Sequence, residues 1–198
     1  MLLFQQPSTE IVRRFLAAQS QRDYSYKAIG ATASTPPLNY VVDRYQGKLG
    51  DGQETFEAAC QALRRWEHFN LGWIQATPNT TPLETGQVIC IVARIMGLYW
   101  LNACRIVYTI DETPQQDGAE VKKFGFAYGT LPDHAETGEE RFHVEWNRAT
   151  GAVTYHILAF SRPNHFLAKL GYPFVRRVQK RFGRDSLVAM QKVVIGTD

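Results

Sequence analysis

The sequence predicts an α+β fold in which a curved antiparallel β-sheet grips a long C-terminal helix, the arrangement known as a helix grip. Two observations carry this prediction. Between Gly72 and Ser161 the apolar residues alternate with a period of two, and Pro, Gly, Asp and Asn turns divide the stretch into short segments. The last segment returns to helical spacing with one apolar face. A curved sheet has to cover its apolar concave face, and a terminal helix provides that cover.

The N-terminal part predicts one helix and then an extended arm. Ser8 can cap a helix over residues 9–20, in which the apolar residues recur at helical spacing: Ile11, Val12, Phe15 and Leu16. Residues 24–33 alternate weakly and run into Pro36 and Pro37, which predicts an edge strand or an extended arm.

A strand and a second helix precede the main sheet. Residues 39–45 predict a strand that is closed by Gly47, Gly50 and Gly52. The helix that follows has an apolar stripe of Phe56, Ala59, Cys60, Leu63, Trp66 and Phe69. Glycines before a helix can hold a phosphate, but Lys48 is not followed by Ser or Thr, so a turn is favoured.

Six strands are predicted after Gly72, at 72–77, 86–95, 98–111, 121–131, 140–147 and 152–161. The turn after Asn147 sets the register of the last two, because pairing Asn147 with Ala152 defines the cross-strand pairs Trp146 with Val153, Val144 with Tyr155 and Phe142 with Ile157. All six apolar side chains then share one face, which we expect to be the inner one. In segment 102–110, alternation puts Cys104, Ile106, Tyr108 and Ile110 on one face.

The C-terminal helix is predicted from apolar residues at intervals of four: Phe166, Leu170, Phe174, Val178 and Phe182. Asn164 is its expected cap, and Pro173 should kink or restart it. The basic residues Arg177, Lys180, Arg181 and Arg184 fall on one face of this helix. Such a face can dock on an anionic membrane, or it can be a solvated helix back that pairs with the acidic loops between Asp111 and Glu145.

Composition limits the organisation and the partners. The length suits one domain over residues 1–198, with an N-terminal helix and arm at 1–37 and a helix-grip core at 38–198. Lys and Arg outnumber Asp and Glu by 22 to 19, an excess too small to demand a nucleic-acid partner. Cys60, Cys90 and Cys104 lie in apolar stretches without a C-x-x-C pair, so we expect reduced core thiols and a cytoplasmic location. No signal peptide or membrane helix is recognised.

Two residue groups could carry chemistry but also have plainer interpretations. His143, Glu145 and His156 have metal-ligand side chains that converge across two strands, yet the same register puts them on the outer face. A solvated sheet face is therefore favoured, and no metal or other cofactor is predicted. His134 lies in a Pro, Gly and acidic loop that is typical of a solvated turn. Ser161 lacks the G-x-S-x-G setting of a serine hydrolase.

Several ordered motifs resemble Uncharacterised Protein Family 0548, a domain-of-unknown-function family of bacteria and plants. They are FGFAYGTLP at 124–132, His134, GEERF at 138–142, SRP at 161–163, GYP at 171–173, and RDS at 184–186 with Met190. The resemblance begins at about Tyr45 and includes LRRW at 63–66. It implies a single domain similar to the START and polyketide-cyclase helix-grip superfamily, and it supplies no catalytic residues. The motifs nominate, without roles, Trp66, Arg105, Tyr128, His134, Glu139, Glu140, Arg162 and Asp185.

The leading functional hypothesis is a binding or carrier protein for a small hydrophobic molecule, isoprenoid, polyketide-like or acyl, held between the sheet and the last helix. Aromatic side chains there can equally form a solid core, which is the commoner use of any single ring. The candidate ligand-binding residues are Trp66, Arg105, Tyr108, Phe126, Tyr128, Trp146, Tyr155 and Phe174. The three tyrosines matter because a buried hydroxyl needs a partner.

Two alternatives stay open. One is an enzyme of the cyclase, hydrolase or isomerase kind that uses the same cavity, with His134, Glu139 or Glu140 as acid or base and Arg105 or Arg162 holding an anion. The other is a membrane-surface or interaction protein that uses the basic helix face. The oligomeric state is not predicted.

Overall fold

The computed structural model describes residues 1–116, 118–164 and 171–196. The strands in these ranges are β1 (Leu2–Leu3), β2 (Val41–Asp51), β3 (Ile74–Thr77), β4 (Val88–Ile95), β5 (Leu98–Glu112), β6 (Gln115–Gln116), β7 (Ala119–Thr130), β8 (Glu136–Asn147) and β9 (Ala152–Pro163). The α-helices are α1 (Thr9–Gln19), α2 (Gly52–Arg64) and α3 (Tyr172–Ile195), and short 3-10 turns occupy Ala31–Ala33 and Glu67–Phe69.

Seven strands form one curved antiparallel sheet in the order β2-β9-β8-β7-β5-β4-β3. The strands from β3 onward pair with their neighbours along the chain, and β2 joins at the far edge beside β9. The β8–β9 hairpin has the predicted register, with Trp146 opposite Val153 and Phe142 opposite Ile157. The predicted fold class, a helix gripped by an antiparallel sheet, is confirmed.

Helices α2 and α3 cover the inner face of the sheet. The core there is aromatic, and Phe69 joins the two layers because its ring stacks on Phe182 of α3 at 4.8 Å and meets Phe142 of β8 at 5.5 Å. Ser186 and Met190, on the second half of α3, are fully buried against this face. The sequence thus encodes a core in which the terminal helix and the sheet are in direct contact.

The N-terminal residues cover the outer face. Val12 and Phe15 of α1 pack with Leu101 of β5, and Ser8 caps the helix as predicted, accepting from the Ile11 amide at 3.3 Å. Residues 24–33 form neither an edge strand nor a straight arm, because they fold around the carboxylate of Glu139 and include a 3-10 turn.

Two predicted boundaries were wrong. Helix α2 ends at Arg64 because Trp66 takes a left-handed φ of 59°, which turns its indole into the core, where Nε1 donates to the Thr81 carbonyl at 2.9 Å. Strand β2 continues through Gly47 to Asp51, with a bulge after Lys48. Gly47 serves close packing here, since an added Cβ would lie 3.3 Å from Cδ2 of Leu187.

Helix α3 begins at Tyr172 with Pro173 in its first turn, as expected for a proline that restarts a helix. Asn164 donates through Nδ2 to the carbonyls of Pro132 at 3.0 Å and His134 at 3.1 Å. The predicted helical positions Phe166 and Leu170 lie outside the described residues. Across the described ranges, no helix combines the length and the apolar character that a membrane span needs.

Candidate functional site

A row of side chains crosses the inner face beneath the first half of α3. Asp43 of β2 is paired with Ala159 of β9, Ala159 with Glu140 of β8, and Glu140 with Tyr128 of β7. Glu136 lies four residues before Glu140, so strand alternation puts it on the same face. We call the space bounded by these residues and the first half of α3 the carboxyl cleft.

Glu140 is the central group of the carboxyl cleft. The hydroxyl of Tyr128 donates to its Oε2 at 2.8 Å. Desolvation by the surrounding core raises the pKa of Glu140 to about 8, and the nearby carboxyls of Asp43 and Glu136 act in the same direction. The carboxyl is therefore largely protonated at pH 7, and a protonated carboxyl can donate a hydrogen bond as well as accept one.

Helix α3 supplies the opposite wall. Arg176 binds Asp43 through two hydrogen bonds of 2.6 Å, and Gln179 donates to Ser161 at 2.9 Å and to Glu136. Burial raises the pKa of Glu136 as well. One guanidinium thus faces three carboxyl groups.

The cleft retains solvent-accessible surface, unlike the space under the second half of α3. Glu140, Tyr45 and Ala159 on the sheet, and Val178 on the helix, are all partly exposed. Because Glu140 belongs to a strand that is paired on both sides, its exposure comes from the inner face. The helix and sheet therefore separate towards the start of α3.

Polar groups continue into the aromatic core below the cleft. Tyr155 and Ser186 share a hydrogen bond of 3.1 Å between fully buried hydroxyls. His68 is fully buried between the rings of Trp66 and Phe142, and neither of its nitrogens hydrogen-bonds to a described residue. Burial lowers the pKa of His68 to about 3, so the imidazole is neutral at physiological pH.

The structure brings together five of the eight predicted ligand-binding residues. Those that lie on the inner face or in its core are Trp66, Phe126, Tyr128, Trp146 and Tyr155. Phe174 is 42% exposed near the start of α3. The remaining two residues, Arg105 and Tyr108, lie elsewhere.

Tyr108 is on the outer face, so its predicted position was wrong. A bulge between Ile106 and Tyr108 pairs Tyr108 with Ala127 and reverses the alternation of β5 from that point. Its hydroxyl lies 2.7 Å from that of Thr32. Arg105 also faces outward, where its Nη2 donates to the carbonyls of Ser20 and Arg22, so it holds the chain after α1.

Of the four candidate catalytic residues, Glu140 alone lies in the carboxyl cleft. Glu139 points to the opposite face, where it accepts from the Tyr26 hydroxyl at 2.6 Å and from the amides of Gly30 and Thr32 at 2.7 and 2.9 Å.

The other two candidates lie outside the cleft. His134 accepts from the Glu136 amide at 3.0 Å through Nδ1, in the connection between β7 and β8. The guanidinium of Arg162 lies 4.6 Å over the ring of Tyr40. The idea of an acidic loop that converges with both arginines on one site is therefore not supported by their positions.

Two surface pockets lie at the other side of the molecule. The larger, about 300 Å³, is lined by residues around Trp66, Asn70 and Gln75, and the smaller, about 180 Å³, by residues around Trp73 and Arg94. Both border β3 and the turn before it, away from Glu140. Trp66 contributes to the larger one, so this residue connects the core with the surface.

Sequence analysis did not single out Asp43, Glu136, His68 and Ser186. For Glu136 the signal was available, because a strand that begins at 136 instead of 140 places both glutamates on one face. Asp43 alternates with the inward Tyr45 in the same way. His68 follows a left-handed residue, so no helical or strand period predicts where its ring points.

Two solved structures resemble this chain. A hypothetical protein of Helicobacter pylori matches with a TM-score of 0.47 and 14% identity, covering 86% of this chain and 95% of that one. Human STARD10 matches with a TM-score of 0.35 and 10% identity, covering 92% of this chain and 81% of that one. At such values the likeness assigns no ligand and no reaction to this chain.

Sequence relatives give a closer comparison. The UPF0548 protein of Dictyostelium discoideum is 35% identical over 98% of this chain and 96% of its own. The UPF0548 protein of Arabidopsis thaliana is 36% identical over 78% of this chain and 74% of its own. A family model described as a domain of unknown function, DUF1990, matches residues 25–189, and so begins before Tyr45, where the sequence motifs start. The chain therefore belongs to the DUF1990 family of UPF0548 proteins.

Proposed function

We propose that the protein binds a small, largely apolar molecule that carries a hydrogen-bonding head group, and that the head group lies in the carboxyl cleft. The observation that carries this proposal is Glu140, a carboxyl in the inner face whose pKa is raised to about 8 and which retains exposed surface. Buried carboxyls without a counter-charge cost free energy, and binding sites are where such groups are retained.

The charges of the cleft favour an amine over an acid as the head group. Glu136, Glu140 and Asp43 face one another, and Arg176 alone compensates them, through Asp43. A cation beside Glu140 would restore the ionised carboxylate and gain a charge-assisted hydrogen bond. A carboxylate in the same place would add a fourth acidic group.

Aromatic rings provide the apolar contact surface. Tyr128, Phe142 and Phe182 lie next to Glu140 or one turn below it, with Phe142 5.4 Å from Tyr128 and 6.3 Å from Phe182. Rings that surround a few placed polar groups are typical of small-molecule sites. Their mutual contacts leave the lower core filled, so the ligand occupies the upper part of the space, towards the start of α3.

The test compares octylamine, octanol and octanoate, three probes with one chain length and different head groups, by isothermal titration and by NMR shifts. We expect octylamine to bind most tightly and octanoate most weakly. Ala159→Phe, which fills the cleft between Asp43 and Glu140, should abolish binding, whereas Ala149→Phe in the exposed β8–β9 turn should not. Equal binding to the two variants would place the site elsewhere.

An acid–base enzyme is the second candidate, and the same residue favours it. A pKa near 8 lets Glu140 both give and take a proton near neutral pH, and Tyr128 fixes the orientation of its carboxyl. Incubation with a cell metabolite extract should deplete particular masses with the wild-type protein and not with Glu140→Gln. Depletion that survives this substitution would exclude Glu140 as the acid or base.

Membrane docking is the third candidate. Arg177, Lys180, Arg181 and Arg184 are all exposed on α3. Ion pairs join Arg176 to Asp43 and Arg181 to Asp185, so the basic face does not pair with the acidic loops between Asp111 and Glu145. Vesicles of phosphatidylcholine with phosphatidylserine should co-sediment the protein, and neutral vesicles should not. Sedimentation that ignores lipid charge and salt would contradict this use of the helix.

We also propose that the chain acts as one unit in the cytoplasm. Cys60, Cys90 and Cys104 are free thiols, all buried, which suits a reducing compartment. Residues 1–37 are held to the sheet by Glu139 and Arg105, which supports a single domain.

A further inference from the structure

Two histidines and a glutamate meet on the outer face of the sheet, opposite the carboxyl cleft. His143 and Glu145 are two residues apart on β8 and so point the same way, and His156 of β9 is the cross-strand partner of His143. Nε2 of His143 lies 3.0 Å from Oε1 of Glu145, and Nε2 of His156 lies 3.6 Å from Oε2. We call this group the His–Glu cluster.

We propose that the His–Glu cluster binds a divalent transition-metal ion, with zinc the best match, through His143, Glu145 and His156. Two imidazoles and one carboxylate are a donor set that zinc uses in sites with an open fourth position. Zinc bonds of about 2.0–2.2 Å put tetrahedral ligand atoms about 3.4 Å apart. One ligand atom from each of the three residues lies within 4.8 Å of the others, so modest side-chain rotation closes the site.

The position of the cluster suits a metal site better than a solvated surface. The His143 side chain is 6% exposed, and those of Glu145 and His156 are 21% and 24% exposed. The two rings stack at 4.8 Å with 14° between their planes. Nε2 of His156 is buried without a hydrogen-bond partner among the described residues. An unpartnered buried nitrogen aimed at a carboxylate is the arrangement that a metal ion completes.

The ligands are already in the protonation states that a metal needs. Burial lowers the pKa of His143, and burial together with His143 lowers that of His156 to about 4, so both rings are neutral at pH 7. The hydrogen bond from His143 and the contact with Lys123 hold the pKa of Glu145 at about 2. Binding at neutral pH would therefore release few protons.

Lys123 is the built-in competitor of the metal. Its Nζ lies 2.9 Å from Oε1 of Glu145, the oxygen that also contacts His143. A metal ion and an ammonium group cannot share that oxygen without repulsion, so Lys123 has to swing away when the metal binds. Its side chain is 21% exposed, and a lysine stem is long and flexible, so the outward path is open.

Gly125 makes room for His143. The two residues are cross-strand partners, and a Cβ added to Gly125 would lie 2.1 Å from the Phe142 carbonyl and 2.6 Å from Cβ of His143. The glycine thereby allows the imidazole to lie close to β7. Competing thiol ligands are also excluded, because burial raises the pKa of Cys60 and of Cys90 to about 12.

The experiment measures Zn²⁺ binding to the metal-free full chain at pH 7 by titration against a chromophoric chelator, and Co²⁺ binding by visible absorption. We expect one equivalent of Zn²⁺, and Co²⁺ bands of a four- or five-coordinate site. His156→Gln and Glu145→Gln should each weaken Zn²⁺ binding by at least about tenfold. His134→Gln, a histidine change in a different loop, should leave it unchanged.

Lys123→Met supplies a test that a structural role of the histidines would not pass. Removing the ammonium should tighten Zn²⁺ binding several-fold, because Glu145 no longer has to exchange partners. Thermal melts of the metal-free variants show whether each one folds, and the Lys123 arm decides the matter if His156→Gln does not. The proposal is overturned if wild type binds no Zn²⁺, if His156→Gln binds as wild type does, or if Lys123→Met weakens binding.

Discussion

Replacing Glu140 by Gln should make the protein more stable at high pH and leave its stability almost unchanged at low pH. Gln retains an oxygen that accepts from Tyr128 but cannot ionise. The folded-state pKa of Glu140 rises from 4.5 to about 8. At about 1.4 kcal/mol per pKa unit, ionising Glu140 in the folded state costs at most about 5 kcal/mol. Water in the partly exposed cleft reduces this cost, and we expect a gain of about 2–3 kcal/mol.

The direction with pH follows from the raised pKa. Below pH 4.5 the carboxyl is protonated in the folded and unfolded states, so the wild type keeps its full stability. As the pH rises from 4.5 through 8, the unfolded state releases a proton that the folded state holds, and the wild type loses stability relative to Glu140→Gln. Above pH 8 the difference stays constant.

Urea unfolding of both proteins at pH 5, 7 and 9 measures this difference, and Glu120→Gln, an exposed carboxylate paired with Arg148, is the matched control. The control should show no comparable change with pH. A difference between wild type and Glu140→Gln that is the same at all three pH values would refute the reasoning. So would a carboxyl ¹³C titration of Glu140 near 4.5.

Three further substitutions test other parts of the structure. Gly125→Ala should destabilise the protein by about 1–3 kcal/mol in urea unfolding, because its Cβ meets the β8 backbone at 2.1 Å; a neutral effect would show that β7 and β8 can separate there. His68→Leu should be neutral or stabilising at pH 7 and more stabilising at pH 4. The wild-type folded-state pKa of about 3 makes stability fall as the pH drops below 6.5, and an equal effect at both pH values would contradict this. Glu139→Gln weakens the charge-assisted bonds to Gly30 and Thr32, so limited proteolysis should cut residues 24–40 faster; unchanged cleavage would mean that other contacts hold the segment.

The fold and the hairpin register were predictable because they depend on alternation alone. Between Phe142 and Ile157 the apolar residues occupy every second position on both strands, and the turn after Asn147 leaves one pairing that keeps them on one side. Family membership was predictable from contiguous motifs between Phe124 and Phe142.

Residues whose direction depends on a backbone irregularity were not predictable. The bulge after Ile106 moves Tyr108 to the outer face, and nothing in the local sequence marks a bulge without a glycine. The left-handed Trp66 ends α2 early and sends His68 into the core, although the apolar stripe continues in helical spacing. The arm at 24–33 depends on a carboxylate more than one hundred residues away in the chain, a contact that local propensity cannot contain.

The adjacent glutamates of β8 also act as a check on strand register during folding. Glu139 completes the outer attachment of the N-terminal segment, and Glu140 enters the aromatic side. A slip by one residue would either place Arg141 in the aromatic interior or leave the amides of Gly30 and Thr32 facing Gly138, and both outcomes bury an uncompensated polar group. Mispaired chains are therefore penalised from two sides of the sheet at once, so the correct pairing of β8 and the docking of residues 24–33 should form together as one cooperative step.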